Sequence, residues 1–261
     1  MPDFDRPLYF MHINKTGGTS FGMALRKAFA PSEICPVGLI PELLALRPEE
    51  LANYRLFAGH FGTGLASLLD VEPVAITLLR DPVARAISQF NAHLSNPSTA
   101  FHAAIVAHGG DLGRCLEDPG LAAMLSNYQL RFLGQTVDLS VFRRTPSLPR
   151  HGIQRLLLDE PGPIDGADLL AAACARMERM PIVGLIERFP ETLRRLGTFL
   201  DVTIKDVPFE NVSGVTPRYG TTRRLDRGDF PPAVIRRLEE LNAWDLRLYE
   251  AATTLFERCD T

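Results

Sequence analysis

A short segment near the start of the chain combines residue types that bind anions. Residues 12–20 read HINKTGGTS, and they follow an apolar run and open a helical pattern. Glycines let backbone N–H groups approach an anion closely, and a helix N-terminus adds unpaired donors and a favourable dipole. Lys15 supplies a positive charge, and Thr16, Thr19 and Ser20 supply hydroxyl groups. The segment predicts an anion-binding loop between a strand and a helix.

The order of residues in this loop differs from that of the common nucleotide-binding loop. The Walker A pattern places its lysine after the glycines, whereas Lys15 precedes Gly17 and Gly18. A plain tight turn with a Thr or Ser cap is the alternative interpretation. A lysine, two glycines and three hydroxyls within six residues favour anion binding.

A second strand-to-helix junction carries a candidate phosphate site. An apolar run over residues 75–79 leads into Arg80-Asp81-Pro82, and Ser88 follows about two turns into a predicted helix. A guanidinium and a hydroxyl in this arrangement can both bind one phosphate. Two alternatives are a structural Arg80–Asp81 ion pair that caps the helix, with Ser88 on its surface, and Asp81 as a magnesium ligand.

Together the two junctions resemble the cofactor sites of one enzyme family. HINKTGGTS resembles the 5′-phosphosulfate loop of the sulfotransferases that include heparan sulfate 2-O- and 6-O-sulfotransferases and many bacterial relatives. Asn14 stands where that family usually has proline. Arg80 and Ser88 resemble the family's 3′-phosphate site in type and spacing. The resemblance implies that residues 15–20, with Arg80 and Ser88, bind 3′-phosphoadenosine-5′-phosphosulfate (PAPS), which leaves as 3′-phosphoadenosine 5′-phosphate (PAP).

His60 is the candidate general base. It lies in FAGHFG at the end of a predicted strand, and the G-H-x pattern resembles the segment that carries the catalytic histidine of the 2-O-sulfotransferases. Transfer of a sulfuryl group to a hydroxyl requires removal of the hydroxyl proton, for which neutral imidazole is suited near pH 7. His12 is the rival, but its place within a strand favours packing or local hydrogen bonding.

The resemblance implies an enzyme that transfers the sulfuryl group of PAPS to an acceptor hydroxyl, on a carbohydrate or another small molecule. Lys15 is predicted to stabilise the leaving 5′-phosphate, where negative charge develops in the transition state, without a metal ion. Two other classes stay open. One is a magnesium-dependent kinase or NTPase, and the other is a non-catalytic module that binds a nucleotide or a glycan.

Later segments resemble the same family less specifically. Residues 126–134, SNYQLRFLG, resemble its N-Y-x-x-R-x-L segment. We expect Tyr128 and Leu133 to pack in the core, and leave Asn127 and Arg131 open between acceptor contact and packing.

Two arginine-containing loops also remain open. Residues 201–229 resemble a loop of the same family that closes over the nucleotide, which implies that Arg218 or Tyr219 contacts it, with a solvated charged loop as the alternative. The arginines of residues 143–155 are expected to form a solvated face rather than an acceptor site.

Apolar runs and helical patterns alternate along the chain. The runs predict strands over residues 8–13, 55–59, 74–79 and 182–186, each continuous, as in parallel strands covered on both faces. Helices are predicted over residues 20–29, 83–94, 121–133, 166–179, 190–200 and 231–256. This alternation predicts an α/β, P-loop-NTPase-like three-layer fold with a central parallel sheet flanked by helices. In such sheets ligands bind at the carboxyl ends of the strands, where the loop, His60 and Arg80 all fall.

Composition narrows the class of protein. The chain has 261 residues, 46% of them hydrophobic, and a net charge of -3, which fits a single domain over residues 1–261 without a nucleic-acid partner. No apolar run reaches the ~18 residues of a membrane span, so we expect no integral membrane segment and a soluble, unprocessed, cytoplasmic protein. The four cysteines form no C-x-x-C pair, which predicts reduced thiols and no metal site.

Overall fold

The computed structural model describes residues 5–99, 101–145, 165–204 and 224–258. The central sheet has four parallel strands, β1 (Leu8–Met11), β2 (Leu56–Gly59), β3 (Val74–Leu79) and β4 (Val183–Leu185), in the order β2-β1-β3-β4. All four predicted strands are confirmed, as is the α/β class with a parallel sheet flanked by helices. Arg218 and Tyr219, and also Arg150 and Arg155, lie outside the described residues.

The described α-helices follow in chain order. They are α1 (Gly18–Arg26), α2 (Ile40–Ala45), α3 (Pro48–Leu51), α4 (Pro82–Leu94), α5 (His102–Ala107), α6 (Leu112–Cys115), α7 (Pro119–Leu125), α8 (Tyr128–Gly134), α9 (Ser140–Arg144), α10 (Gly166–Met177), α11 (Phe189–Leu200), α12 (Pro232–Leu241) and α13 (Ala243–Arg258). Short 3-10 helices span Pro31–Glu33, Gly62–Leu68, Ile186–Arg188 and Arg227–Asp229.

Both faces of the sheet are covered, which explains why its strands are almost entirely apolar, with Thr77 of β3 as a buried polar exception. Successive side chains of a strand point to opposite faces. Leu8 and Phe10 of β1 pack in a cluster with side chains of α1 and α11. Tyr9 and Met11 pack in the cluster that contains side chains of α8, α10 and α13.

The strand order creates a switch point in the middle of the sheet. From the central strand β1 the chain goes first to β2 on one side and then to β3 on the other. Ligands in open parallel sheets bind outside the carboxyl ends of the strands where the order reverses. The loop after β1 and Arg80 after β3 both lie at this point.

Two predicted long helices are each divided in the structure. The helix predicted over residues 121–133 breaks between α7 and α8 at Asn127, which has φ of 45°. Asparagine tolerates this left-handed conformation better than most residues. The helix predicted over residues 231–256 breaks between α12 and α13 at Asn242. Both predictions of a continuous helix were wrong because apolar periodicity continues across each break.

Other sequence expectations concern features away from the sheet. In the described part of the chain no helix is long and apolar enough to cross a membrane. Within the same residues no cluster of three His, Cys, Asp or Glu side chains has metal-site geometry. Cys35, Cys115 and Cys174 are free thiols, and Cys259 lies outside the described residues.

Candidate functional site at the carboxyl edge of the sheet

The loop after β1 is shaped by two residues with positive φ. Lys15 has φ of 70° and Gly17 has φ of 84°. Gly17 is also the N-cap of α1 and provides no side-chain cap, and no acidic residue occupies the first turn. The first N–H groups of a helix have no partner within the helix. At α1 these groups have no side-chain cap from Gly17, and they carry the positive end of the helix dipole, which favours an anion.

Its glycines are required by close contacts. A Cβ atom at Gly17 would lie 2.2 Å from Cδ1 of Ile186, and one at Gly18 would lie 2.2 Å from two atoms of the His12 ring. The loop thus runs between two side chains that approach its backbone. A larger residue at Gly17 would be strained by the φ of 84°, and one at Gly18 would have to displace the His12 ring.

The three hydroxyls of the loop face different surroundings. Thr16 is fully buried, and its Oγ1 donates to the carbonyl oxygen of Ile13 at 3.0 Å. Because that proton is used within the loop, the Thr16 hydroxyl stabilises the loop itself rather than donating to a ligand. Ser20 is buried in the first turn of α1, whereas Thr19 is exposed. Thr19 is therefore the hydroxyl most open to a ligand from solvent.

Arg80 lies beside this loop, as expected from its place at the end of β3. Its Nη1 donates to the carbonyl oxygen of Lys15 at 3.2 Å. Ser88 lies in the second turn of α4 and is buried, with 2% of its surface exposed. It is therefore not the helix-surface residue of the alternative interpretation.

Positive charges gather around Lys15. Burial lowers the pKa of the Lys15 ammonium, and the charges of Arg224, Arg85 and Arg80 lower that pKa further. Burial and Arg224 likewise lower the pKa of Arg80, and the charges of Glu187 and Asp81 oppose this only in part. Cations depress one another's pKa when they share a site and lack enough negative charge. The arrangement is suited to a ligand with several negative charges.

The site has two cations that the sequence did not single out as ligands. Arg85 belongs to the same RDPVAR run as Arg80 and is fully buried on α4. Arg224 lies in residues 201–229, where the sequence singled out only Arg218 and Tyr219. The sequence does not show where these arginines lie in space, because arginines occur both on solvated loops and in anion sites.

The carboxylate next to Arg80 serves as a helix cap. Oδ1 of Asp81 accepts from the N–H of Ala84 at 2.8 Å, which caps α4. The N–H of Asp81 donates to Oε1 of Glu187 at 2.9 Å. This supports the capping interpretation of Asp81 over a magnesium ligand, although the predicted partner Arg80 turns to the Lys15 carbonyl instead.

His60 has a defined tautomer at the end of β2. Its Nδ1 lies 2.5 Å from the carbonyl oxygen of His12. A carbonyl only accepts hydrogen bonds, so Nδ1 carries the proton and Nε2 carries the lone pair. Burial lowers the pKa of His60, the His12 bond opposes this, and the charge of Lys15 lowers that pKa further. His60 is therefore neutral near pH 7, with Nε2 as its basic atom.

His12 packs as expected of a strand-end residue. Its ring lies 4.3 Å from the ring of His60 and 5.2 Å from that of Phe10, measured between centroids. Burial, followed by the charges of His60 and Lys15, lowers the pKa of His12 to about 3. The ring thus stays neutral and separates the loop glycine Gly18 from His60.

Gly59, directly before His60, is required by close packing. A Cβ atom at Gly59 would lie 2.7 Å from the carbonyl oxygen of Gly38 and 2.5 Å from the ring of Phe61. The backbone N–H of His60 donates to that same Gly38 oxygen at 2.8 Å. Gly59 therefore lets a neighbouring chain segment approach and fix His60.

Asn127 and Arg131, left open by the sequence, are committed to structural bonds. Oδ1 of Asn127 accepts from the N–H groups of Trp244 and Asp245 and so caps α13. The Arg131 guanidinium donates to the carbonyl oxygens of Ala123, Ser126 and Asn127. Tyr128 and Leu133 are buried, as predicted.

No protein-family model matches the chain, and a search of curated proteins finds no match.

Proposed function

We propose that this protein is a PAPS-dependent sulfotransferase that acts on an acceptor hydroxyl, with carbohydrates as the acceptor class favoured by the sequence resemblance. The observation that carries the proposal is the meeting of three segments at one sheet edge. Arg80 bonds the Lys15 carbonyl at 3.2 Å, and His60 bonds the His12 carbonyl at 2.5 Å. An anion-binding loop, a cationic junction and a neutral base are thereby adjacent.

The residues present fit a nucleotide with separate phosphate groups. The uncapped N-terminus of α1 and Lys15 would hold the 5′ end, and Arg80 with Ser88 would hold the 3′-phosphate. After burial, the charge of Arg224 lowers the pKa of both Lys15 and Arg80. Arg224 therefore lies close enough to contribute to the binding of either phosphate. PAPS supplies the sulfuryl group, which it carries on its 5′-phosphate.

His60 would remove the proton of the acceptor hydroxyl through Nε2. The acceptor oxygen forms a bond to sulfur while the bond between sulfur and the phosphate oxygen breaks, and the proton moves to His60. Negative charge then develops on the phosphate oxygen. Lys15 is the cation of the loop proposed to hold this phosphate, so it would stabilise the charge more in the transition state than in the ground state.

A P-loop-like fold is part of this proposal, but an ATP-dependent reaction is less well supported. The lysine of the loop comes before its glycines, and Asp81, the candidate magnesium ligand, caps α4. The cation cluster can neutralise a phosphate without magnesium.

Ligand binding provides the first test. PAP should raise the melting temperature of the protein, whereas ATP with magnesium should raise it much less. Lys15→Ala should weaken PAP binding through the loss of a charge-assisted contact of about 1.5–3 kcal/mol. Isothermal titration calorimetry measures this loss. Lys27→Ala, which removes an exposed lysine just after α1, is the matched control and should bind PAP as the wild type does.

Activity provides the second test. Transfer of labelled sulfate from PAPS should be measured across a panel of glycan and small-molecule hydroxyl acceptors. Equal melting shifts with PAP and with ATP and magnesium would overturn the cofactor assignment. Strong PAP binding without transfer to any acceptor would favour a non-catalytic binding module.

A further inference from the structure

Two adjacent residues at the start of α8 bond to both anion-binding segments. Tyr128 contacts the loop after β1, and Gln129 contacts Arg80 after β3. We propose that these are positioning residues, with Gln129 orienting Arg80 for the 3′-phosphate and Tyr128 holding the loop for the 5′ end. This inference rests on the proposed function, and it adds the device that sets selectivity for the 3′-phosphate.

Gln129 holds the backbone of Arg80 by two bonds. The N–H of Arg80 donates to Oε1 of Gln129 at 3.0 Å, and Nε2 of Gln129 donates to the Arg80 carbonyl oxygen at 2.8 Å. Arg80 lies just beyond the last paired residue of β3, Leu79. The amide of Gln129 thus continues the hydrogen bonding of the strand by one residue. The direction of the Arg80 side chain is fixed where the sheet no longer fixes it.

Tyr128 holds the loop through Asn14. Nδ2 of Asn14 donates to the Tyr128 hydroxyl oxygen at 3.0 Å. The guanidinium carbons of Arg85 and Arg131 lie 4.7 Å and 5.4 Å from the centre of the Tyr128 ring. Cations within about 6 Å of an aromatic ring are attracted to it. The ring is therefore held in place, and Asn14 fixes the residue just before Lys15.

The start of α8 is itself anchored to the C-terminal helices. Oδ2 and Oδ1 of the buried Asp245 accept from the N–H groups of Gln129 at 3.1 Å and Leu130 at 2.7 Å. Asn127 in return caps α13. Because each helix start is capped by a residue of the other element, Tyr128 and Gln129 have fixed backbone positions. A fixed platform is what a positioning role requires.

Selectivity between two nucleotides separates this role from plain structural support. PAP and AMP share the 5′-phosphate, and only PAP has the 3′-phosphate. Gln129→Met, which keeps the length of the side chain without its amide, should weaken PAP binding about tenfold. AMP binding should weaken by less than about threefold. Tyr128→Phe should weaken PAP and AMP by similar factors, because it acts on the loop.

Gln135→Met is the matched control, since Gln135 directly follows α8 and bonds neither anion segment. It should leave both affinities unchanged. Calorimetry reports the folded, binding-competent fraction through the stoichiometry and the site through Kd. If Gln129→Met does not fold, Gln129→Asn keeps an amide but withdraws it by one methylene, and the same loss of PAP selectivity is expected.

A double variant decides whether Gln129 acts through Arg80. In an Arg80→Ala background, Gln129→Met should cost less than about twofold in PAP affinity, because the group it orients is gone. An equal loss in both backgrounds, or equal losses for PAP and AMP, would overturn the inference alone. A wild-type protein that binds PAP no better than AMP would overturn the proposed function as well.

Discussion

At the scale of single residues, the site depends on backbone geometry as much as on charge. Lys15 adopts a left-handed conformation that is uncommon for residues other than glycine. Such conformations persist where the surroundings enforce them, and they cluster at functional sites. Here the enforcing contacts include the Arg80 bond to the Lys15 carbonyl oxygen. The hydrogen bond between Arg80 and the Lys15 carbonyl oxygen thus holds both the Arg80 guanidinium and the left-handed backbone of Lys15.

His60→Ala tests the base directly. The substitution should leave PAP binding near normal and reduce turnover about 10²–10⁴-fold, because it removes the proton acceptor but no phosphate ligand. His108→Ala is the control, since that ring is partly exposed beside Asp118. An unchanged rate for His60→Ala would remove this residue from the mechanism.

The same histidine predicts the pH dependence of the reaction. Burial lowers the pKa of His60 below its ordinary value of 6.5. The neutral form is the base, so kcat/KM should fall only when pH drops through this lowered pKa. The acid limb of the profile should therefore lie below pH 6.5 and disappear in His60→Ala. An acid limb above pH 6.5 would contradict this assignment.

Gly18→Ala tests the contact between the loop and His12. The new Cβ would overlap the His12 ring, which already packs between Phe10 and His60. We expect a loss of about 1–3 kcal/mol of stability and weaker PAP binding, measured by denaturant unfolding and calorimetry.

Gly22→Ala is the matched control on the same helix. Its Cβ would lie 4.0 Å from the nearest ring atom of Phe10, an ordinary contact. Alanine stabilises helix interiors relative to glycine by about 0.5–1 kcal/mol. Similar destabilisation by both substitutions would show that the His12 contact is not the cause.

At the scale of elements, α8 and α13 stabilise each other through their first turns. Burial raises the pKa of Asp245, and the charge of Arg85 and the two backbone bonds that Asp245 accepts oppose this rise. The carboxylate is thus buried but accepts bonds at the start of α8. At the break between α7 and α8, Asn127 is therefore placed to cap α13 with its side chain.

Asp245→Ala should destabilise the protein by about 2–4 kcal/mol. It leaves two buried N–H groups without an acceptor, each costing about 1–3 kcal/mol. Asp165→Ala also removes a helix cap, at α10, but Asp165 is exposed and water replaces the lost acceptor. That control should cost about 1 kcal/mol. Urea unfolding of both variants measures the difference, and equal losses would contradict the prediction.

At the scale of the whole molecule, local charge differs from net charge. The chain has a net charge of -3. Four cations still gather at the carboxyl edge of the sheet, where burial and the charges of Arg224 and Arg85 lower the pKa of Lys15 and Arg80. Composition excluded a broadly basic surface and did not reveal this local cluster. Anion binding here depends on tertiary placement of a few cations.

Acid stability should reflect the buried neutral histidines. Burial lowers the pKa of His12 to about 3 and that of His93 to about 4. Below pH 6.5 the unfolded chain binds protons that the folded chain does not, so the free energy of unfolding falls as pH falls. At pH 5 the loss is at most about 2 kcal/mol per histidine.

Urea unfolding between pH 7 and pH 5 measures this loss. His93→Gln removes one of these buried histidines and should make the pH dependence shallower. A variant with the same pH dependence as the wild type would show that His93 does not contribute.

The sequence by itself determined the strands, the α/β class and the three segments at strand ends. These depend on local patterns: continuous apolar runs, glycines after a strand and a proline at a helix start. Because carboxyl ends of parallel strands share one edge, the meeting of residues 12–20, His60 and Arg80 also followed.

Only the tertiary structure decided the helix breaks and the partners of the polar side chains. Gln129 bonds Arg80, Asn14 bonds Tyr128, and Asn127 caps α13. Each partner is distant in the sequence, and an amide can bond any backbone group that comes near it. Side-chain type therefore fixes what bonds a residue can make, whereas the fold decides which ones it makes.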